Sequence, residues 1–181
     1  MSKQTNGELI ALIEEYKPDV VGIGEFSKYE KELTGIPDTI RKEYTFIISF
    51  GLLLSQAVLD TITDGPNLLY LHHYRQLNYR LDMMAYRIAH DIEARGYKAL
   101  PFPASQIVDW QHQKGHISHK RAGEISGIGW IGRNNLLIHP VYGAQVRYNT
   151  VLPICPLPLT HPFPFHAEHA GHVSRYVRQV Q

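Results

Sequence analysis

Arg133, Asn134 and Asn135 close the run SGIGWIGRNN (126–135), which also carries Gly127, Gly129 and Gly132. A guanidinium beside two carboxamides offers donors and acceptors suited to amides, phosphates or carboxylates. The glycines have the G-x-G-x-x-G spacing that lays a dinucleotide pyrophosphate on a helix N-terminus. That use needs a strand before the glycines, a helix after them and an acid about 20 residues on. Here a predicted helix (118–126) precedes them, a predicted strand (135–140) follows, and no acid stands from Ile125 to Ala167. The run is not a dinucleotide fingerprint. Gly127 suits a left-handed helix stop, while Gly129 and Gly132 either let the main chain approach something bulky or make a tight turn. Trp130 either offers a flat face to a guest or is buried in that turn.

The charges nearby are uneven. Lys120, Arg121, Arg133 and Arg147 face one acid, Glu124, between Gly115 and Arg147. That is either a local positive field or a chance cluster on a solvated face. The net charge of +1 argues against a generally polyanion-binding surface. Two histidine groups have ligand-like spacing. His112, His116 and His119 would share a helix face, but Gly115 and the expected cap at Ser118 interrupt it. His166, His169 and His172, with His161 before them, could bind zinc or nickel, yet no cysteine or well-placed acid completes a set. No metal site is expected. Cys155 is the one cysteine, which excludes an internal disulfide, suggests a reducing compartment and reads as a buried or incidental thiol.

Positioning these groups falls to a chain of 181 residues, long enough for one real core. Thr5 and Glu8 form a capping box opening an amphipathic helix through Tyr16, stopped by Pro18. Strands are predicted at 19–26, 44–52, 98–105 and 144–152, the third running into a rigid loop. Asp64 is expected to cap a long helix whose apolar stripe is Tyr70, Tyr74, Leu77, Leu81, Met84, Ile88 and Ile92, ending before Gly96. Its tyrosines and His72, His73 and His90 are expected to serve packing or solvation. From Pro153 the prolines at 153, 156, 158, 162 and 164 are expected to forbid a regular element. The organisation read from this is a domain over 1–152 and a proline-rich tail over 153–181. The N-terminus lacks a secretory pattern and no apolar run reaches membrane length, so a cytoplasmic protein without membrane contact is expected.

The run "SHKRAGEISGIGWIGRNNLLIHPVYGAQVRYNTVL" (118–152) resembles epoxyqueuosine reductase and its relatives, cobalamin-dependent iron–sulfur oxidoreductases similar to reductive dehalogenases. The likeness rests on "GIGWIGRNNLLI", the Tyr-Gly turn and the strand after it, with support from "DGPNLLYLHHYRQLNYRLD" and "FPASQIVDW"; it covers roughly residues 45–170. It implies an α+β, nitroreductase-like three-layer sandwich, with a central mixed sheet flanked by helices and loops cradling a corrinoid. A corrinoid carries peripheral amides and one nucleotide-tail phosphate. The contacts implied are Ser118, His119, Lys120, Trp130, Gly132, Arg133, Asn134, Asn135, Tyr142 and Gly143. Arg133 stands where the family has lysine. The family's proton-donating aspartate falls at Gln113, which cannot supply a proton, leaving Asp109 and His116 as neighbours able to substitute. The segment 166–181 resembles the opening of a ferredoxin-like 4Fe–4S module, with Ala170, Val173, Tyr176 and Val180 at the ligand spacings. The resemblance thus implies a corrinoid-binding domain without cluster ligands, drawing electrons from a separate protein, with tRNA a partner by family analogy. The alternative is a corrinoid carrier, or a remnant without activity.

Overall fold

The computed structural model describes residues 11–26, 37–112 and 114–155. The Thr5–Glu8 box, Gln113 and the tail from 156, with its four histidines, lie outside the described residues. Residues 11–15 are helical. The elements that follow are β1 (Val20–Glu25), α1 (Asp38–Arg41), β2 (Phe46–Leu53), α2 (Gln56–Leu59), α3 (Leu68–Ala94), β3 (Lys98–Pro101), α4 (His119–Ile125), β4 (Trp130–Ile131), β5 (Leu137–Ile138) and β6 (Val146–Ile154).

Four strands form one sheet in the order β1-β2-β6-β3, every neighbouring pair antiparallel. The expected mixed sheet is thus corrected. A strand–helix–strand run from β2 through α3 to β3 suggests parallel neighbours, but β6 inserts between them and opposes both. The period of two sorts the sheet into faces. Ile48, Phe50, Leu52 and Val151 pack with Leu77, Leu81, Met84, Ile88 and Ile92 of α3. Ile47 and Leu152 turn the other way, onto Ile117 and Ala122 at α4, while Val146 and Tyr148 cover Ile128 and Leu137. The result is three layers, helix on sheet on helix plus a β4–β5 hairpin. Ile47, Ile48, Phe50, Val151 and Leu152 are completely buried, each contributing about 1.5–3 kcal/mol by removal from water.

The long helix keeps its predicted stripe from Leu77 to Ile92, but Tyr70 and Tyr74 are only half-buried. Its cap is Asn67, whose side chain accepts the Tyr70 N–H, and not Asp64. The Gly-Pro step after Asp64 carries the chain past Asp64 before the helix begins. Pro153 does not end regular structure either. It sits inside β6 opposite Ala99. The Phe102 N–H donates to the Thr150 carbonyl, so the even residues of β6 bond to β3 and Pro153 directs its nitrogen toward β2. The β2 ladder has already ended at Ile48–Val151, so no hydrogen bond is lost.

Candidate functional site

Helix α4 opens on Ser118, whose hydroxyl accepts the Arg121 N–H at 3.4 Å, and stops at Gly127 with φ of 73°. The glycine run then folds into the β4–β5 hairpin. A Cβ on Gly129 would lie 2.0 Å from the Ile138 carbonyl oxygen, and one on Gly132 would lie 3.0 Å from Asn134 Oδ1. The bulky neighbour these glycines admit is the hairpin's own returning strand. Asn134 Oδ1 accepts the Leu136 N–H at 3.2 Å and Asn135 takes a left-handed φ of 59°. Trp130 is half-buried against this turn, paired with Ile138. Arg133, Asn134 and Asn135 are exposed.

The expected positive field shrinks on inspection. Arg121 pairs with Glu124, which also accepts the Ile131 N–H at 3.1 Å. Arg147 lies across the sheet, on the α3 side, bonded to Asn78. Lys120 and Arg133 remain at the turn, and the Lys120 ammonium donates to the Asn135 carbonyl at 2.6 Å. Tyr142 stacks on His139 with centroids 4.9 Å apart, and His139 exchanges two 2.8 Å backbone bonds with Gly143. His139 Nδ1 also accepts the N–H groups of Val141 and Tyr142, and burial lowers its pKa. Tyr142 and Gly143 thus belong to a stapled turn.

His119 is engaged at both nitrogens. Nε2 donates to the Pro103 carbonyl at 3.0 Å, so Nδ1 accepts from the Thr150 hydroxyl at 2.8 Å. Burial, offset in part by the Pro103 bond, lowers its pKa to about 4 and keeps it neutral. It fixes a loop and is poorly placed to ligate a metal.

That loop, 102–107, is where the structure concentrates polar groups that sequence reading passed over. Asp82 Oδ1 accepts the Ala104 N–H at 2.7 Å and the Asn149 amide at 3.3 Å. The Tyr74 hydroxyl lies 3.4 Å from Ser105 Oγ, and the Arg147 guanidinium sits 4.1 Å over the Tyr74 ring while bonding Asn78. Helices α3 and α4 therefore hold residues 103–105, and β6 takes the Phe102 N–H just before them. Two cavities flank the loop. One, of about 150 Å3, is lined by Ser105, Gln106, His116 and His119; the other, of about 260 Å3, by Arg75, Asn78, Tyr79, Asp82, Ser105 and Gln106. Tyr74, Asn78 and Asp82 recur every four residues beside the apolar stripe, a legible signal of a half-buried polar edge.

Of the two proton-donor candidates, Asp109 faces outward and its bonds with His112, at 2.7 Å side chain to side chain, hold its carboxyl below the usual range. His116 lines the smaller cavity, its ring 6.3 Å from Phe102. His112, His116 and His119 do not converge, and no cluster of three metal-ligating side chains occurs among the described residues. Cys155 is buried, and burial pushes its thiol up to about 12. No described helix is long and apolar enough to cross a membrane.

No protein-family model matches the sequence, and no curated protein does. Solved structures do match. A catabolic reductive dehalogenase superposes over 88% of this chain with a TM-score of 0.72 at 15% identity, and the match covers 22% of that enzyme. A reductive dehalogenase structure described for B12-dependent dehalogenation gives the same figures. Epoxyqueuosine reductase bound to a tRNA stem loop matches 88% of this chain at a TM-score of 0.54 and 16% identity, over 48% of its own length. This chain therefore spans about a fifth of the dehalogenases and about half of the epoxyqueuosine reductases. What the likeness establishes is architecture: the chain has the fold of a domain found in B12-dependent reductive dehalogenases and in epoxyqueuosine reductase.

Proposed function

We propose that this chain is the corrinoid-binding domain of a cobalamin-dependent oxidoreductase of the epoxyqueuosine-reductase type. The supporting observation is the fold match over 88% of the chain, with Arg133, Asn134 and Asn135 exposed on one turn and Lys120 of α4 bonded to it. Carboxamides and cations suit the amide fringe and tail phosphate of a corrinoid. Gly132 shapes that turn and Trp130 is half-buried against it, while Ser118 caps α4 and Tyr142 and Gly143 belong to the neighbouring 139–143 turn. The cavities beside the 102–107 loop, at about 150 and 260 Å3, are smaller than the 300–1,000 Å3 or so of drug-sized sites, so the ligand would lie over an open surface. His119, neutral and doubly bonded, would shape the loop and leave the metal to the corrinoid's own ligands. When bound, the corrinoid supplies a redox-active cobalt; the chain's part is to hold it and keep a proton at hand. His116 is the group best placed to hold that proton, since it lines a cavity while Asp109 faces outward with a depressed pKa.

Within 181 residues there is one cysteine, buried and protonated, so no thiolate set for a 4Fe–4S cluster is present. Electrons for the cobalt would enter from outside these residues. A second reading is a corrinoid carrier without turnover. Absorbance titration with cob(II)alamin tests both: a saturable spectral change is expected, weakened about tenfold in the Lys120→Ala, Arg133→Ala double variant, at about 1.4 kcal/mol per decade. An unchanged spectrum at saturating cobalamin would end the corrinoid assignment. Turnover with an external reductant then separates reductase from carrier.

A further inference from the structure

The outer face of α3 is dressed in a way its packing does not need. Tyr79, Met83 and Tyr86 are 71%, 52% and 58% exposed, spaced four and three residues apart opposite the buried stripe. Arg75, Arg80 and Arg87 are exposed around them. Beside this row runs a groove of about 500 Å3 lined by Tyr16, Tyr79, Met83 and Met84, with two arginines, Arg80 and Arg87, against one acid, Glu15. Tyrosine, methionine and arginine are the types enriched at the centres of protein–protein contacts, where lysine, serine and acids are depleted. A methionine floor also adapts to an inserted apolar side chain.

The charges decide what kind of protein. At 100° per residue, Tyr79 and Tyr86 fall on one flank of Met83, and Arg80 and Arg87 on the other. A second copy packed antiparallel through Met83 would bring Arg80 of one chain against Arg87 of the other, so self-association is opposed by like charge. Three arginines over about 18 Å of helix instead match a partner that rings an apolar anchor with carboxylates. Tyr79 also lines the cavity formed with Arg75, Asp82 and Ser105, so the face is continuous with the polar loop. We propose that this face docks a small acidic protein, of the one-electron carrier type; the choice of carrier rests on the proposed function, the acidic surface does not.

The test titrates isotope-labelled protein with an acidic plant-type ferredoxin at low salt, following backbone amide shifts. Expected are shifts confined to 75–90 and the groove, with affinity falling at least about tenfold on raising salt from about 50 to 500 mM. The Arg75→Glu, Arg80→Glu, Arg87→Glu variant should lose binding, as should Tyr79→Ser with Tyr86→Ser, both keeping the parental melting temperature because every site is exposed. Undiminished binding by either folded variant, shifts elsewhere, or binding of a single-stranded oligoribonucleotide in place of the ferredoxin overturns the proposal. Cobalamin titration is read separately. Cobalamin bound without ferredoxin refutes this docking face alone, whereas ferredoxin bound without cobalamin refutes the corrinoid reading and leaves the face standing.

Discussion

The glycine-rich turn at 127–135 and the 102–107 loop are a loud region and a quiet one. The turn has a motif, a tryptophan and an arginine, yet its glycines are spent within its own hairpin: Gly129 lies against the Ile138 carbonyl and Gly132 against the Asn134 side chain. The loop has no glycine motif, yet Tyr74 and Asp82 of α3 and His119 of α4 reach it, and two cavities open beside it. A dense motif reports local backbone demands. Convergence of polar side chains reports a place where function can be built, and it is written across distant parts of the chain.

The sharpest way to break this comparison is Gly129→Ala. If the glycine serves the hairpin, a methyl forced within 2.0 Å of a carbonyl oxygen should cost about 3–4 kcal/mol in chemical denaturation. A cost below about 1 kcal/mol would show that the strand can yield and that the glycine is reserved for something outside the protein.

The loop makes a prediction of intermediate size. His119 has its pKa lowered by burial to about 4, so the unfolded chain binds the extra proton first. Stability is therefore full above about pH 6.5 and declines as pH falls toward 4, by about 2–3 kcal/mol from this one group. In His119→Gln that part of the decline should vanish while Ala104 and Asp82 keep their bond. A pH profile identical to the parent's would show that His119 is not enclosed by the loop.

The smallest effect returns to the turn. Asn135 holds φ of 59°, which glycine adopts freely and alanine does not. Asn135→Gly should change stability by less than about 0.5 kcal/mol and Asn135→Ala should cost about 1 kcal/mol. If both variants bind cobalamin like the parent, the carboxamide serves the backbone alone and the comparison sharpens further.

Much of the scaffold could be read directly. The 3.6-residue stripe from Leu77 to Ile92, the Ser118 cap, the Gly127 stop and the cores of β1, β2 and β6 depend on near neighbours, and local periodicity reports them. The same locality explains the misreadings. Asp64 and Asn67 both suit a cap, and only the path of the intervening Gly-Pro chooses between them. Pro153 is tolerated because the pairing of β2 with β6 has already ended at Ile48–Val151, a fact about another strand. Arg147 looked like part of the turn's field, but an odd position on β6 sends it through the sheet to Tyr74.

By itself the sequence determined which stretches bury a face and which turns need glycine, because both are set within a few residues by sterics and hydration. Only the tertiary structure decided that β6 enters between β2 and β3, and so brings Arg147, Asn149 and Thr150 to Tyr74, Asp82 and His119. Those pairings join residues 31 to 73 positions apart, and the free energy that selects them comes from closing one shared core.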